Sequence, residues 1–260
     1  MELGLKDKTA FITGAGKGIG RAIAMTLAEY GVDIVATGIS LTGIEQTAEE
    51  VRRKGRKALA ISTDVSNKAQ VLKSVNKAIG NFHRVDILVN CAGINPSSLL
   101  VDLSEDLWDK TIDTNLKGVF LVSQEISKHM IKNKYGKIIN ISSQAGKVGE
   151  LGNGVYCAAK AAVIMLTQVQ ALELAEYNIN VNAICPGYTD TAMIRKVIDE
   201  RGPIEGMTPK EYEELLVSGI PMKRMAKPEE IGELVAFLSS DKSSYITGIA
   251  HTISGGKILF

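Results

Sequence analysis

Cysteine is scarce. The chain has three in 260 residues, with no paired spacing, which excludes a disulfide framework and suits a reducing compartment. A cytoplasmic location is therefore the expectation. Charge of one sign is not in excess either: thirty lysines and arginines against twenty-nine acids leave a net charge of +1. So balanced a chain lacks the basic footprint of a nucleic-acid binder. No apolar run is seen to approach the ~18 residues of a membrane span, so no membrane partner is expected. Met1-Glu2-Leu3-Gly4 has neither a charged n-region nor an apolar h-region, and no signal peptide is expected. Internal repeats, low-complexity tracts and interdomain linkers are missing as well, and no metal-ligand set is expected. What is present is a composition 45% hydrophobic, enough for a sizeable core, over a length that suits one α/β domain spanning 1–260.

Strand-like and helix-like segments alternate. Strands are predicted at 9–13, 33–36, 58–63, 85–90, 138–141, 180–185 and 248–253. Helices are predicted at 19–30, 45–54 and 69–79, over a long region that holds Asn115 and ends near Lys132, around Tyr156, and near 229–238. Repeated β–α units imply right-handed crossovers and a Rossmann-like, doubly wound parallel sheet with helices on both faces. Ligands of such sheets bind beyond the carboxyl ends of the strands, where Asn90, Ser143 and Pro186 fall.

Two stretches carry chemistry. Between the first strand and helix lies Thr13-Gly14-Ala15-Gly16-Lys17-Gly18-Ile19-Gly20. Its glycines let the backbone approach a pyrophosphate at a helix N-terminus. It is not a P-loop, because no Lys-Ser/Thr follows the last glycines. The second stretch runs from Ile138 to Lys160. Ser143 follows an apolar strand, and Tyr156 and Lys160 are four apart in an alanine-rich helix, hence on one face. A serine, a tyrosine and a lysine at one point suit proton exchange with an alcohol oxygen. A free tyrosine has a pKa near ~10, and a fixed cation beside it favours the phenolate. Lys160 is accordingly expected to lower the Tyr156 pKa.

With these motifs the sequence resembles the short-chain dehydrogenase/reductase family over essentially its whole length. The matching residues are Thr13 to Gly20, Asp64-Val65, Asn90-Cys91-Ala92-Gly93, Asn115, Ser143, Tyr156, Lys160 and Pro186-Gly187, with Ser143 and Tyr156 thirteen residues apart. Cys91 departs from the pattern, since most members carry a second asparagine there. The resemblance implies a reversible alcohol/ketone oxidoreductase using NAD or NADP. Tyr156 would exchange the proton and Ser143 would orient the oxygen. Lys160 would hold the nicotinamide ribose, and Asn115 would bend its helix and hold a water linking Lys160 to solvent. The implied cofactor set is Gly14, Lys17, Gly18, Ile19, Gly20, Ser40, Asp64, Val65, Asn90, Ala92, Gly93, Tyr156, Lys160, Pro186, Gly187 and Thr189. Asp64 is expected at the adenine, and 189–193 over the nicotinamide.

NAD users often carry an acid after the second strand, which binds the 2′-hydroxyl. This chain has Thr37-Gly38-Ile39-Ser40 instead, while Lys17 is a cation placed for a 2′-phosphate. The balance leans to NADP, with NAD open. The family resemblance also implies a substrate wall after Ser143, at Gln144-Ala145-Gly146-Lys147-Val148-Gly149-Glu150-Leu151-Gly152-Asn153, with an amide, an ammonium, a carboxylate and another amide. Its amide and carboxylate suit a polyol better than a fatty-acyl chain, because each buried hydroxyl left unpaired costs about 1–3 kcal/mol. The expected substrate contacts are Ser143, Gln144, Glu150 and Tyr156; Lys147 either pairs with a phosphate or faces water. This run is similar to sorbitol-type and butanediol-type members, which favours a small polyol, sugar or related hydroxy compound. The alternatives are a 3-oxoacyl-thioester reductase and a non-catalytic dinucleotide sensor, the last disfavoured by the intact Asn115, Ser143, Tyr156 and Lys160. The segment 188–225 leaves the β–α rhythm, with breaks at Gly202-Pro203, Gly206 and Pro209 and a helix at 210–216, and is expected to be a substrate lid. Cys91, Cys157 and Cys185 adjoin family motifs and are expected to line or back the cleft. The helices of Asn115 and Tyr156 are expected to join subunits in a homotetramer or dimer.

Overall fold

Five residues, Thr9–Thr13, form β1, and every one is buried. Alternate side chains part to opposite faces: Ala10 and Ile12 enter one core cluster, Phe11 the other. The pattern repeats in β2 (Asp33–Gly38), β4 (Ile87–Asn90) and β5 (Gly136–Ile141), where Ile34, Val89 and Ile139 face one way and Val35, Leu88 and Ile138 the other. Strands buried on both faces read as continuous apolar runs. With β3 (Ala58–Ser62), β6 (Ile179–Pro186) and β7 (Ala250–Ile253) they make one seven-stranded parallel sheet, ordered β3-β2-β1-β4-β5-β6-β7. This computed structural model describes residues 3–260, so Met1 and Glu2 of the N-terminal reading lie outside the described residues.

Helices α1 (Gly18–Glu29), α2 (Leu41–Arg53) and α9 (Pro228–Ser239) cover one face; α3 (Lys68–Phe82), α5 (Gly118–Asn133) and α6 (Gly154–Leu174) cover the other. The expected doubly wound α/β architecture is therefore present. The strand order reverses between β1 and β4, which opens a crevice at their carboxyl ends.

Several expected boundaries differ. The long helical region is α4 (Glu105–Ile112), a π turn at Asp113–Lys117, and then α5. The segment 188–225 holds two helices, α7 (Ala192–Ile204) and α8 (Pro209–Ser218). Gly202-Pro203 does not break α7, because Pro203 falls in its last turn. The stop comes at Gly206, whose φ is +71°. Thr208 and Glu211 then cap α8 reciprocally, with Pro209 at its first turn. The expectation of no apolar run long enough for a membrane also needs correction: 154–177 is long and apolar enough by length and composition. In the fold one side of this helix packs on the sheet, with Val155, Ala159, Val163 and Ala171 buried, while Met165, Val169 and Leu172 are exposed.

Candidate active site

The glycine loop is shaped by close backbone approach. Gly14 has φ +67°, and a Cβ there would stand 2.9 Å from Ala92 Cα. A Cβ on Gly20 would stand 2.3 Å from the Gly14 carbonyl oxygen. Thr13 ties β1 to the loop after β4, its Oγ1 accepting from the Cys91 and Ala92 amides at 2.9 and 3.0 Å. Helix α1 begins after Lys17 with no side-chain cap, so its first amides point at the crevice unclaimed by a side chain. That cradle fits a dinucleotide pyrophosphate, which needs bare backbone donors.

Loop and sheet edge together wall a cleft of about 1140 Å³, open to solvent. Of the expected cofactor residues, Gly14, Lys17, Gly18, Ile19, Gly20, Ala92, Gly93, Tyr156, Lys160, Pro186, Gly187 and Thr189 line it. Four lie outside the cleft wall. Ser40 Oγ accepts from the Gly43 amide at 3.3 Å and caps α2. Asp64 Oδ1 accepts from Ser66 N and Oγ at 2.9 and 2.7 Å, closing a turn. Val65 is buried against Gly118. Asn90 is turned inward, its Nδ2 donating to Ser123 Oγ at 2.9 Å and Asn140 Oδ1 at 2.8 Å.

Ser143, Tyr156 and Lys160 meet in the same cleft. The loop after β5 lies directly on α6: Ser142 Oγ donates to the Lys160 carbonyl at 2.8 Å, and a Cβ on Gly146 would be 2.7 Å from the Lys160 carbonyl carbon. This close approach brings Ser143 against Tyr156. The expected electrostatics are reversed in this structure. Burial pushes the Tyr156 phenol above its ordinary value; a hydrogen bond with Ser143 pulls it down, and the Glu150 carboxylate adds to the rise. Lys160 Nζ donates to the Ile141 carbonyl at 2.7 Å and lies 5.6 Å from the Tyr156 ring centre. Burial itself lowers Lys160 to about 8, against the opposing pull of the Cys91 and Cys185 thiols.

Asn115 sits in the π turn, fully buried and behind the cleft wall. Its side chain is spent on Ile94, accepting from the amide and donating to the carbonyl, each at 2.8 Å. A Cβ on Gly93 would be 2.8 Å from Asn115 Oδ1 and 3.7 Å from Lys160 Nζ, so Gly93 lies between them.

On the substrate side, Gln144 and Glu150 line the cleft as expected, joined by Asn95, Tyr188, Met193, Ile194, Val197 and Arg201. Glu150 is also held by three protein donors. Its carboxylate accepts from Gln144 Nε2 at 2.9 Å, Asn153 Nδ2 at 3.0 Å and Arg201 Nη2 at 3.0 Å. Arg201 is the residue that sequence reasoning missed; fifty-one positions separate it from Glu150, and nothing local marks the pair. Lys147 Nζ donates to the Ala250 carbonyl at 2.9 Å and to the backbone oxygen of Phe260 at 2.7 Å. Of the three thiols only Cys91 lines the cleft, and desolvation there pushes it up to about 12. Cys157 and Cys185 lie outside the wall, Cys185 buried at the end of β6.

A family model described as short chain dehydrogenase matches residues 8–202. The chain is 38% identical over 255 residues to the 3-oxoacyl-[acyl-carrier-protein] reductase FabG of Thermotoga maritima, covering 98% of this chain and 99% of that one. It is 41% identical over 256 residues to the oxidoreductase UcpA of Escherichia coli, covering 98% and 96%. Among solved structures, an NAD+-bound xylitol dehydrogenase superposes with a TM-score of 0.94 at 33% identity, covering 97% of this chain and 99% of that one. A levodione reductase superposes with a TM-score of 0.93, also at 33% identity, covering 97% and 98%.

Proposed function

Because the chain belongs to the short-chain dehydrogenase/reductase family, and is thereby an oxidoreductase of a CH–OH group with NAD or NADP, we propose that its substrate is a small polyol, sugar or related hydroxy compound. The observation that carries the proposal is the polar wall beyond Tyr156, where the half-buried Glu150 joins the buried Gln144 and Arg201 by hydrogen bonds. Likeness to a xylitol dehydrogenase supports it.

The bound nicotinamide supplies or accepts the hydride. Gly14, Gly18, Ile19, Gly20, Ala92, Gly93, Pro186, Gly187 and Thr189 would hold the dinucleotide, since all line the cleft. Lys17, an exposed cation of the glycine loop, would meet a 2′-phosphate, which favours NADP. In the proposed chemistry Tyr156 exchanges the proton and Ser143 orients the oxygen. A phenol held above its ordinary pKa is a proton donor at neutral pH, the form that ketone reduction uses. Alcohol oxidation instead needs the phenolate, which the Ser143 hydrogen bond favours. Lys160, charged below about 8, places a cation behind the tyrosine. Asn115 anchors the 93–95 loop through Ile94, and with it the floor on which Lys160 rests. Helices α7 and α8 serve as the lid, with Met193, Ile194 and Val197 on its inner side. The exposed apolar side chains Phe120 of α5 and Met165, Val169 and Leu172 of α6 would join subunits; a monomeric mass in sedimentation would contradict this.

A second reading, reduction of a 3-oxoacyl thioester, is favoured by the 38% identity to FabG and by the apolar inner side of α7. Oxidation of a polyol panel, run beside reduction of an acetoacetyl thioester, separates the two. Efficient thioester reduction with no turnover of any polyol, sugar or hydroxyketone would overturn the first.

A further inference from the structure

One buried hydroxyl has no part in the chemistry described so far. Thr47 lies midway along α2, fully buried, on the face that carries Ile44, Ala48 and Val51. Its neighbours there are apolar, and a threonine is a poorer helix former than an alanine or a leucine. The hydroxyl is spent outside the helix: Oγ1 donates to the Ala15 carbonyl at 2.9 Å, thirty-two residues away in the glycine loop. The Gly43 carbonyl of its own helix, the usual acceptor for a mid-helix threonine, lies farther off at 3.1 Å.

Ala15 is thereby held at both of its polar groups. Its amide donates to the Thr37 carbonyl near the end of β2 at 2.9 Å, and its carbonyl accepts from Thr47. The peptide that joins Ala15 to Gly16 is planar and trans. Fixing the Ala15 carbonyl therefore also fixes the Gly16 amide, which points the opposite way, off α2. A second contact comes from the same helix. A Cβ on Gly43 would stand 3.0 Å from the Gly16 carbonyl oxygen, and one on Gly16 would stand 3.2 Å from the Gly43 carbonyl carbon. Among the described residues of α2 none lines the cleft, whereas Gly14 and Lys17 to Gly20 do. Helix α2 thus backs the middle of the loop whose two ends face the cofactor cleft.

The Ala15 peptide is also the link most free to turn. Glycines stand on both sides of Ala15, and Gly14 already holds φ at +67°. Ala15 is fully buried, so without the Thr47 proton its carbonyl meets no water and is left an unpaired acceptor. Rotation of the peptide relieves that orphan, and it carries the Gly16 amide and the approach to Lys17 out of place. Resting on the reading of this loop as the dinucleotide cradle, we infer that Thr47 is a positioning residue for the cofactor: its hydroxyl locks the Ala15–Gly16 peptide and so holds the loop in the shape that receives the pyrophosphate. Thr47 touches no ligand itself. Gly43, by its lack of a side chain, lets α2 come close enough for the bond to form.

The test separates the hydroxyl from the methyl. Thr47→Val keeps the shape and removes the proton; Thr47→Ser keeps the proton and removes the methyl. Affinity for the reduced nicotinamide cofactor is read from its fluorescence on the full chain. It should fall about tenfold in Thr47→Val and stay within about twofold of the wild type in Thr47→Ser. ADP-ribose, tried with and without a 2′-phosphate, carries the pyrophosphate but no nicotinamide, and calorimetry should show the same factor lost. Thr47→Ser should unfold at lower denaturant than the wild type, because a small cavity replaces the methyl. Stability and affinity then part company, whereas a side chain that only packed would lose them together. Gly43→Ala reaches the loop through the other contact and should weaken both ligands as well. Wild-type affinity in Thr47→Val, an equal loss in Thr47→Ser, or a loss for the cofactor that ADP-ribose escapes would each overturn the role of Thr47. Full affinity in Gly43→Ala would overturn the hold of α2 on the loop. A wild type that binds no ADP-ribose would instead bring down the reading of the loop as a cradle, and the role of Thr47 with it.

Discussion

The two halves of the cleft are shaped by different materials. At the nucleotide half the backbone does the shaping: Gly14, Gly20 and Ala92 approach so closely that no Cβ fits on either glycine. At the substrate half side chains do it, through a carboxylate on Glu150 that gathers donors from Gln144, Asn153 and Arg201. A backbone-shaped site tolerates one residue type per position and so leaves a spacing in the sequence. A side-chain network tolerates any residues that satisfy one another, and its members need not be near in the chain.

The contrast predicts different failures. The largest is expected at Glu150→Ala, which strands a buried guanidinium. Denaturant unfolding should show a loss of about 3–5 kcal/mol, recovered in large part when Arg201→Met accompanies Glu150→Gln. A loss near that of an exposed ion pair, below ~1 kcal/mol, would show that the network does not hold the substrate half together. Next comes Gly20→Ala, whose methyl would stand 2.3 Å from the Gly14 carbonyl oxygen. Overpacking should cost about 1–3 kcal/mol and weaken cofactor binding. Normal cofactor affinity in this variant would break the claim that backbone contact shapes the nucleotide half. The smallest effect is expected at Lys17→Ala, a side chain on the rim of the backbone-shaped half. Affinity for NADP should fall about fivefold, the roughly 1 kcal/mol of an exposed charge pair, with little change for NAD. Equal losses with both cofactors would remove Lys17 from the discrimination.

This difference also explains what could be read in advance. The parallel sheet was legible because its strands are apolar on both faces, and the glycine loop because its spacing answers to contacts such as Gly14 on Ala92. Ser143, Tyr156 and Lys160 were legible because helix periodicity and the end of β5 bring them together. Arg201 was not, since its partner lies fifty-one residues away and α7 runs through a Gly-Pro pair that reads as a break. The inward turn of Asn90 was hidden for the same reason: Ser123 and Asn140 meet it only across the packed sheet. The Lys160 ammonium fell to the Ile141 carbonyl, a backbone partner that side-chain spacing does not reveal.

The central claim is that the Tyr156 hydroxyl carries the proton in a hydride-transfer reaction at this cleft. Tyr156→Phe removes that one oxygen and leaves the buried ring in place. Measured as nicotinamide oxidation or reduction in a single turnover, with cofactor affinity determined on the same sample, the variant should lose about 10²–10⁴-fold in rate while still binding the cofactor. A single-turnover rate close to that of the wild type, in a variant that binds cofactor normally, would contradict the account.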